Sequence, residues 1–180
     1  MGNTEVIPRV ENMDYVVKDV LAKLILELGG QVEGIKKLMK LVFLMQYDVK
    51  RSITGRRAIK YKYKGQPMAR AEFFIWSFGP MSSEVYDALE GSEFRIETRD
   101  LPYMIQYVGE SPKLPEPVEE RVRIIARKYG RKKGWELERH VVELLDLVPE
   151  EKKLYYMGWP VDKYLKHENI RLEERELDYG

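Results

Sequence analysis

Apolar residues recur with a helical period near the start of the chain. Val17, Val20, Leu21, Leu24, Ile25 and Leu28 fall at i, i+3, i+4, i+7, i+8 and i+11. That single stripe predicts an amphipathic helix from about Asp14, ended by Gly29-Gly30, since glycine takes the left-handed cap cheaply. A second helix is expected over Val32 to Val49. Its centre, Leu38-Met39-Lys40-Leu41-Val42-Phe43-Leu44-Met45, is apolar nearly all round, which places it centrally, packed on several sides.

The period then changes to two. Ile59, Tyr61 and Tyr63 alternate with Lys60, Lys62 and Lys64, the pattern of a strand with one buried face. KGQP reads as a turn, with residues 69–76 returning as the second strand of a hairpin. At Gly79-Pro80 glycine permits an unusual backbone angle and proline cannot continue a ladder, so the pair reads as a corner that stops the strand. Ser82 or Ser83 caps a short helix there, and Gly91 closes it. Two short strands follow near 94–98 and 103–108, joined by Arg-Asp-Leu-Pro.

The proline-rich GESPKLPEP has no period and reads as a linker. Helices are expected over 117–129 and 135–148, and Pro149 and Pro160 each open one more. The charged end, HENIRLEERELDYG, reads as frayed. The expected organisation is a flexible terminus over 1–13, a domain over 14–110, a linker over 111–117 and a helical extension over 118–180. The expected fold class is α+β, mainly helical: a winged-helix-like helical domain with a small antiparallel sheet and a C-terminal helical extension. Its core is expected from Leu21, Leu24, Leu28, Leu38, Leu41, Val42, Met45, Phe74, Trp76, Val85 and Leu89.

Composition narrows the function. Among 180 residues, 44% are apolar and 34% charged, with net charge +1. A packed core follows, without a global pull toward nucleic acid or anionic membrane. There is no cysteine, which excludes thiolate chemistry and Cys-based metal sites. No apolar run is long enough to span a bilayer and no signal peptide pattern is present, so a cytoplasmic protein without a membrane partner is expected. Dense charge with three Asn and four Gln is thermophile-like usage.

The familiar enzyme motifs (GxGxxG, Walker, HExxH and GxSxG) are missing. His140 and His167 lie 27 residues apart in different elements. No catalytic residue, metal site or cofactor is expected. The sharper signal is electrostatic. Lys50, Arg51, Arg56, Arg57, Lys60, Lys62, Lys64 and Arg70 occur with no acid between them. They suit nucleic-acid phosphates or a partner surface, or else a solvated strand edge guarded against aggregation. The later cluster Arg121, Arg123, Arg127, Lys128, Arg131, Lys132 and Lys133 follows Glu116, Glu119 and Glu120, matching a helix dipole without need of a partner.

Two stretches carry a family likeness. KKLMKLVFLMQ, with Lys37, Leu38, Lys40, Leu41, Phe43 and Gln46, resembles the K-L-Q-K-L-hydrophobic-aromatic helix of the Panacea family, the SocA-like antitoxin domains. FFIWSFGPMSSEVY resembles that family's F-x-x-W-x-x-G-P-V-x-x-E-hydrophobic-Y segment through Phe73, Trp76, Gly79, Pro80, Glu84, Val85 and Tyr86. Met39 stands where the family often has Gln, and Met81 replaces a small aliphatic residue. The resemblance implies a non-enzymatic protein-binding antitoxin that neutralises or adapts a partner protein such as a toxin, with a homo-oligomer also open. The alternative is a winged-helix-like DNA-binding regulator. Its helix near 82–90 would present Ser83, Glu84, Asp87 and Glu90, so phosphate contact falls to the basic 50–70 segment.

Overall fold

The structure, a computed structural model, describes residues 15–52, 55–148 and 150–179. The expectation for residues 1–13 and the helix start at Asp14 lie outside them. The chain opens with helix α1 (Val17–Glu27), strand β1 (Gln31–Glu33) and helix α2 (Ile35–Gln46). Three small antiparallel ladders follow: β2 (Tyr47–Ser52) with β3 (Gly55–Lys60), β4 (Lys62–Tyr63) with β5 (Gln66–Pro67), and β6 (Phe74–Trp76) with β7 (Gly79–Met81). Then come α3 (Ser83–Ala88), β8 (Phe94–Glu97), β9 (Met104–Tyr107), α4 (Glu116–Tyr129), α5 (Gly134–Leu144), α6 (Glu150–Tyr155) and α7 (Val161–Tyr179). The fold is α+β and mainly helical, with small antiparallel sheets.

Strand β1 was not visible as a strand in the sequence. The expected helix over 32–49 is cut at both ends. Gly34, at φ +94, breaks the backbone before α2. Val32 turns inward from β1 and pairs with Ile105 of β9, its neighbours Gln31 and Glu33 facing outward. At the far end Tyr47 is extended and starts β2. The resulting sheet has the order β1-β9-β8. The three ladders lie between α2 and α3 in the chain.

The expected hairpin of 59–65 with 69–76 is also redrawn. Lys60 pairs with Tyr47 in β2. The KGQP turn forms, but its ladder holds only Lys62 opposite Pro67 and Tyr63 opposite Gln66. Pro67 has no donor with which to extend it. Residues 74–76 pair instead with Gly79–Met81. Gly79-Pro80 therefore does not stop a strand; it lies inside the second strand of a hairpin that turns at Ser77-Phe78.

One core joins apolar residues from α1, α2, α3, α4, α5 and α7. Val118, Val122 and Ile125 of α4, and Leu137 and Val141 of α5, are buried in it. Of the expected core residues, Leu21, Leu24, Leu38, Leu41, Val42, Met45, Val85 and Leu89 are buried. Leu28 is half-buried. The two aromatic assignments in β6 correct by one register: Ile75 points inward, Phe74 is half-buried and Trp76 is exposed. A one-residue shift exchanges the faces of a strand. The chain end that reads as frayed is helical to Tyr179, in keeping with its Glu, Arg and Leu content.

Candidate functional site: an aromatic cleft beside a buried lysine

Helix α2 is buried over Leu38–Gln46, including two polar residues, Lys40 at 2% exposure and Gln46 at none. Both spend their polar atoms on the backbone of the segment that runs into β6 and β7. The Gln46 side chain donates to the Ala71 carbonyl at 2.8 Å and accepts from the Ala71 N–H at 2.9 Å. Lys40 Nζ donates to the Pro80 carbonyl at 2.9 Å. Between them Phe43 stacks on Tyr47, ring centres 4.6 Å apart, and meets Phe73 edge-on at 5.3 Å. A buried amide or ammonium costs free energy unless it is hydrogen-bonded, so these contacts set where the hairpin can sit.

The rest of the motif supports the same segment. Glu84 accepts from the Glu72 N–H at 3.1 Å, and partial burial raises its pKa. Lys37 donates to the Gly130 carbonyl at the end of α4 at 2.6 Å, and burial lowers its pKa. The opposite edge of β6 is held by the C-terminal part of the chain. Ile75 N–H donates to the Trp159 carbonyl at 2.9 Å, Gly158 N–H to the Ile75 carbonyl at 2.8 Å, and Val161 N–H to the Phe73 carbonyl at 3.0 Å. Lys153 caps the turn by donating to the Ser77 carbonyl at 2.7 Å. Gly79 adopts φ +93, and a Cβ there would lie 3.4 Å from Val142 Cγ2 and 3.5 Å from Lys40 Nζ.

Between α2, this hairpin and α3 lies a cleft of about 190 Å³. Met39, Trp76, Phe78, Met81 and Tyr86 line it, with Lys36, Lys40 and Gly79. Trp76, Phe78 and Tyr86 are 44%, 57% and 44% exposed. Lys36 lies 4.5 Å from the centre of the Phe78 ring and bonds Glu138 of α5 at 2.9 Å. Burial pushes Lys40 down to about 8; Glu138 opposes the shift and Lys36 adds to it. Among the described residues no carboxylate contacts the Lys40 ammonium, and the Pro80 carbonyl is its one acceptor. The cleft thus offers aromatic and thioether surface around a desolvated cation. Its lining contains no carboxylate, imidazole or aliphatic hydroxyl to share a proton-transfer step with Lys40.

Nine of the motif residues are therefore accounted for as packing and pinning: Lys37, Leu38, Lys40, Phe43, Gln46, Phe73, Gly79, Pro80 and Glu84. Trp76 and Tyr86 stand outward on the cleft. None of the basic 50–70 residues lines it. Lys50, Arg51, Arg56 and Arg57 lie in the β2–β3 ladder, where Lys50 faces Arg57 and Arg51 faces Arg56; their side chains are outside the described ones. Lys60 bonds Asp162 of α7 at 2.8 Å. Lys62 and Lys64 are exposed. Arg70 is half-buried, its guanidinium 4.4 Å from the Tyr15 ring centre. Lys36, Phe78 and the burial of Lys40 escaped the sequence reading. The available signal was a lysine inside a helix apolar on nearly every side.

Of the histidines, His140 is half-buried beside Tyr129, and burial lowers its pKa with help from Lys132 and Lys128. His167 Nδ1 lies 2.7 Å from the Tyr156 hydroxyl. Among the described residues no three His, Asp or Glu side chains are grouped to hold a metal ion, and no helix is long and apolar enough to cross a membrane. Compared with known proteins, the chain matches no family model, no curated protein and no solved structure.

Proposed function

We propose that the protein is a non-enzymatic binding module of the SocA-like antitoxin type, neutralising or adapting a partner protein that docks on the aromatic cleft. One observation carries this reading: Trp76 and Phe78, on a hairpin pinned from both sides, stand exposed with Tyr86 of α3 around one cleft. Large aromatics held rigid at a surface concentrate interface energy, because little side-chain freedom is lost when they are covered. The two motifs that resemble the SocA-like domains meet at this cleft, which adds to the reading.

A photo-crosslinking residue at position 78 tests it in cells. The expected product is one discrete protein adduct. With that protein purified, Trp76→Ala and Phe78→Ala should each weaken binding by at least about 30-fold, or roughly 2 kcal/mol. Unchanged affinity in both variants would remove the cleft from the interface.

The sheet order β1-β9-β8 behind α1, α2 and α3 favours a second reading, a winged-helix-like DNA-binding regulator. On α3 Asp87 is exposed, as is Glu90 just beyond, and carboxylates repel phosphates, so contact would rest on Lys62, Lys64 and the basic ladder beside them. Duplex binding at two salt concentrations decides. This reading requires a log-log slope near −0.9 for each phosphate contacted, and a loss of binding in Lys62→Glu/Lys64→Glu.

A further inference from the structure

We infer that the cleft receives the C-terminal residue of the partner chain, its carboxylate seated on Lys40 and its apolar side chain held by Met39, Trp76 and Phe78. This rests on the docking reading above and names the chemistry that would be recognised.

Size gives the first argument. About 190 Å³ is below the roughly 300–1,000 Å³ of pockets that hold drug-sized molecules. It is somewhat larger than the ~150 Å³ cavity that suffices for a benzene ring. One residue fills it, and the rest of any longer ligand must lie outside. Charge gives the second. An ammonium has three protons to donate, and the Pro80 carbonyl accepts one. Lys36 in the same lining is already paired with Glu138 at 2.9 Å, and no carboxylate lies in the lining itself, so Lys40 is the cation left to meet an anion. An anion entering there would supply the acceptor that the buried lysine lacks, in surroundings where a charge-assisted bond is strong.

The apolar walls then select among anions. Aspartate and glutamate bring a carboxylate without an apolar body. A phosphate leaves the aromatic and thioether surface uncovered. A chain terminus ending in an apolar residue places both groups within one residue. Gly79 keeps this arrangement open, because any side chain there would be built toward Lys40 Nζ.

The test uses the full chain and a library of fluorescent octapeptides, each made as free acid and as carboxamide, read by polarisation. The expected binders end in a large apolar residue, bind as free acids, and bind at least tenfold more weakly as amides. Lys40→Met should erase that tenfold difference while circular dichroism and melting temperature show an intact fold. Equal binding of acid and amide, or a difference that survives Lys40→Met, overturns the inference and leaves aromatic docking standing. Phenylpropionate binding as tightly as the best peptide also overturns it, since the cleft would then take a free acid. A library with no binder overturns it as well, and the crosslink at position 78 decides separately on docking.

Discussion

A lysine buried in an apolar helix is the residue on which the cleft turns. Its folded pKa, about 8, lies below the ordinary 10.5. Between those values the unfolded chain binds more protons at this site than the folded one, so stability rises with pH across that window. Below pH 8 the full burden of the buried charge is present, on the order of 3 kcal/mol from the shift. Lys40→Met should therefore be more stable than the natural chain at pH 7, by about that figure less the roughly 1–3 kcal/mol of leaving the buried Pro80 carbonyl without its donor. The difference should shrink as pH rises from 8 to 10, as measured by denaturant unfolding at each pH. A pH-independent difference would mean that the ammonium is better solvated than its burial implies. Gly79 is the other residue under constraint. Alanine there must adopt φ +93 against Val142, and a loss of about 1–2 kcal/mol is expected in thermal unfolding.

At the scale of elements, α2 works as a spine whose polar side chains hold a hairpin by its backbone. Gln46→Leu would leave the buried N–H and carbonyl of Ala71 without partners. The expected cost is about 2–4 kcal/mol, seen as a lower denaturant midpoint with an unchanged m-value. Arg121 of α4 holds the same C-terminal end of α2, donating to the Leu44 carbonyl at 2.7 Å, where a cation suits the helix C-terminus. Its place in a dipole-matched cluster is readable from sequence; its reach to another helix is not. The helices α1, α4 and α5 were legible because their apolar residues keep one period over several turns, and the short α3 because serines open it and Gly91 follows it. The short strands were not. β1 and β7 have three residues each, too few to show a period, and β1 depends on a distant partner, β9. Trp76 and Phe74 were misplaced for the same reason: a three-residue strand carries no internal evidence of which face is buried. The motif residues were legible as a set, while the cleft between them required the two segments to be brought together.

For the molecule as a whole, the C-terminal helices are part of the same packed body as α1 and α2. Val118, Val141, Val161 and Tyr164 are all fully buried. A chain ending at residue 115 should expose the apolar faces of α1 and α2. It is expected to bind a hydrophobic dye and lose its cooperative melt, whereas the full chain should melt in one calorimetric transition. Two resolved transitions for the full chain would show instead that residues 116–180 fold independently.

The backbone stitching around β6 also limits how anything can attach. Its free side is already occupied by residues 158–161 of the same chain. On β7, Pro80 offers no N–H, and its carbonyl is taken by Lys40. An incoming polypeptide thus finds no open ladder on this hairpin to extend as an extra strand, the route by which many domains capture peptides without regard to side chains. Attachment here must be made side chain by side chain. That makes selectivity at this surface a matter of shape and chemistry, and it shields the hairpin from edge-to-edge aggregation.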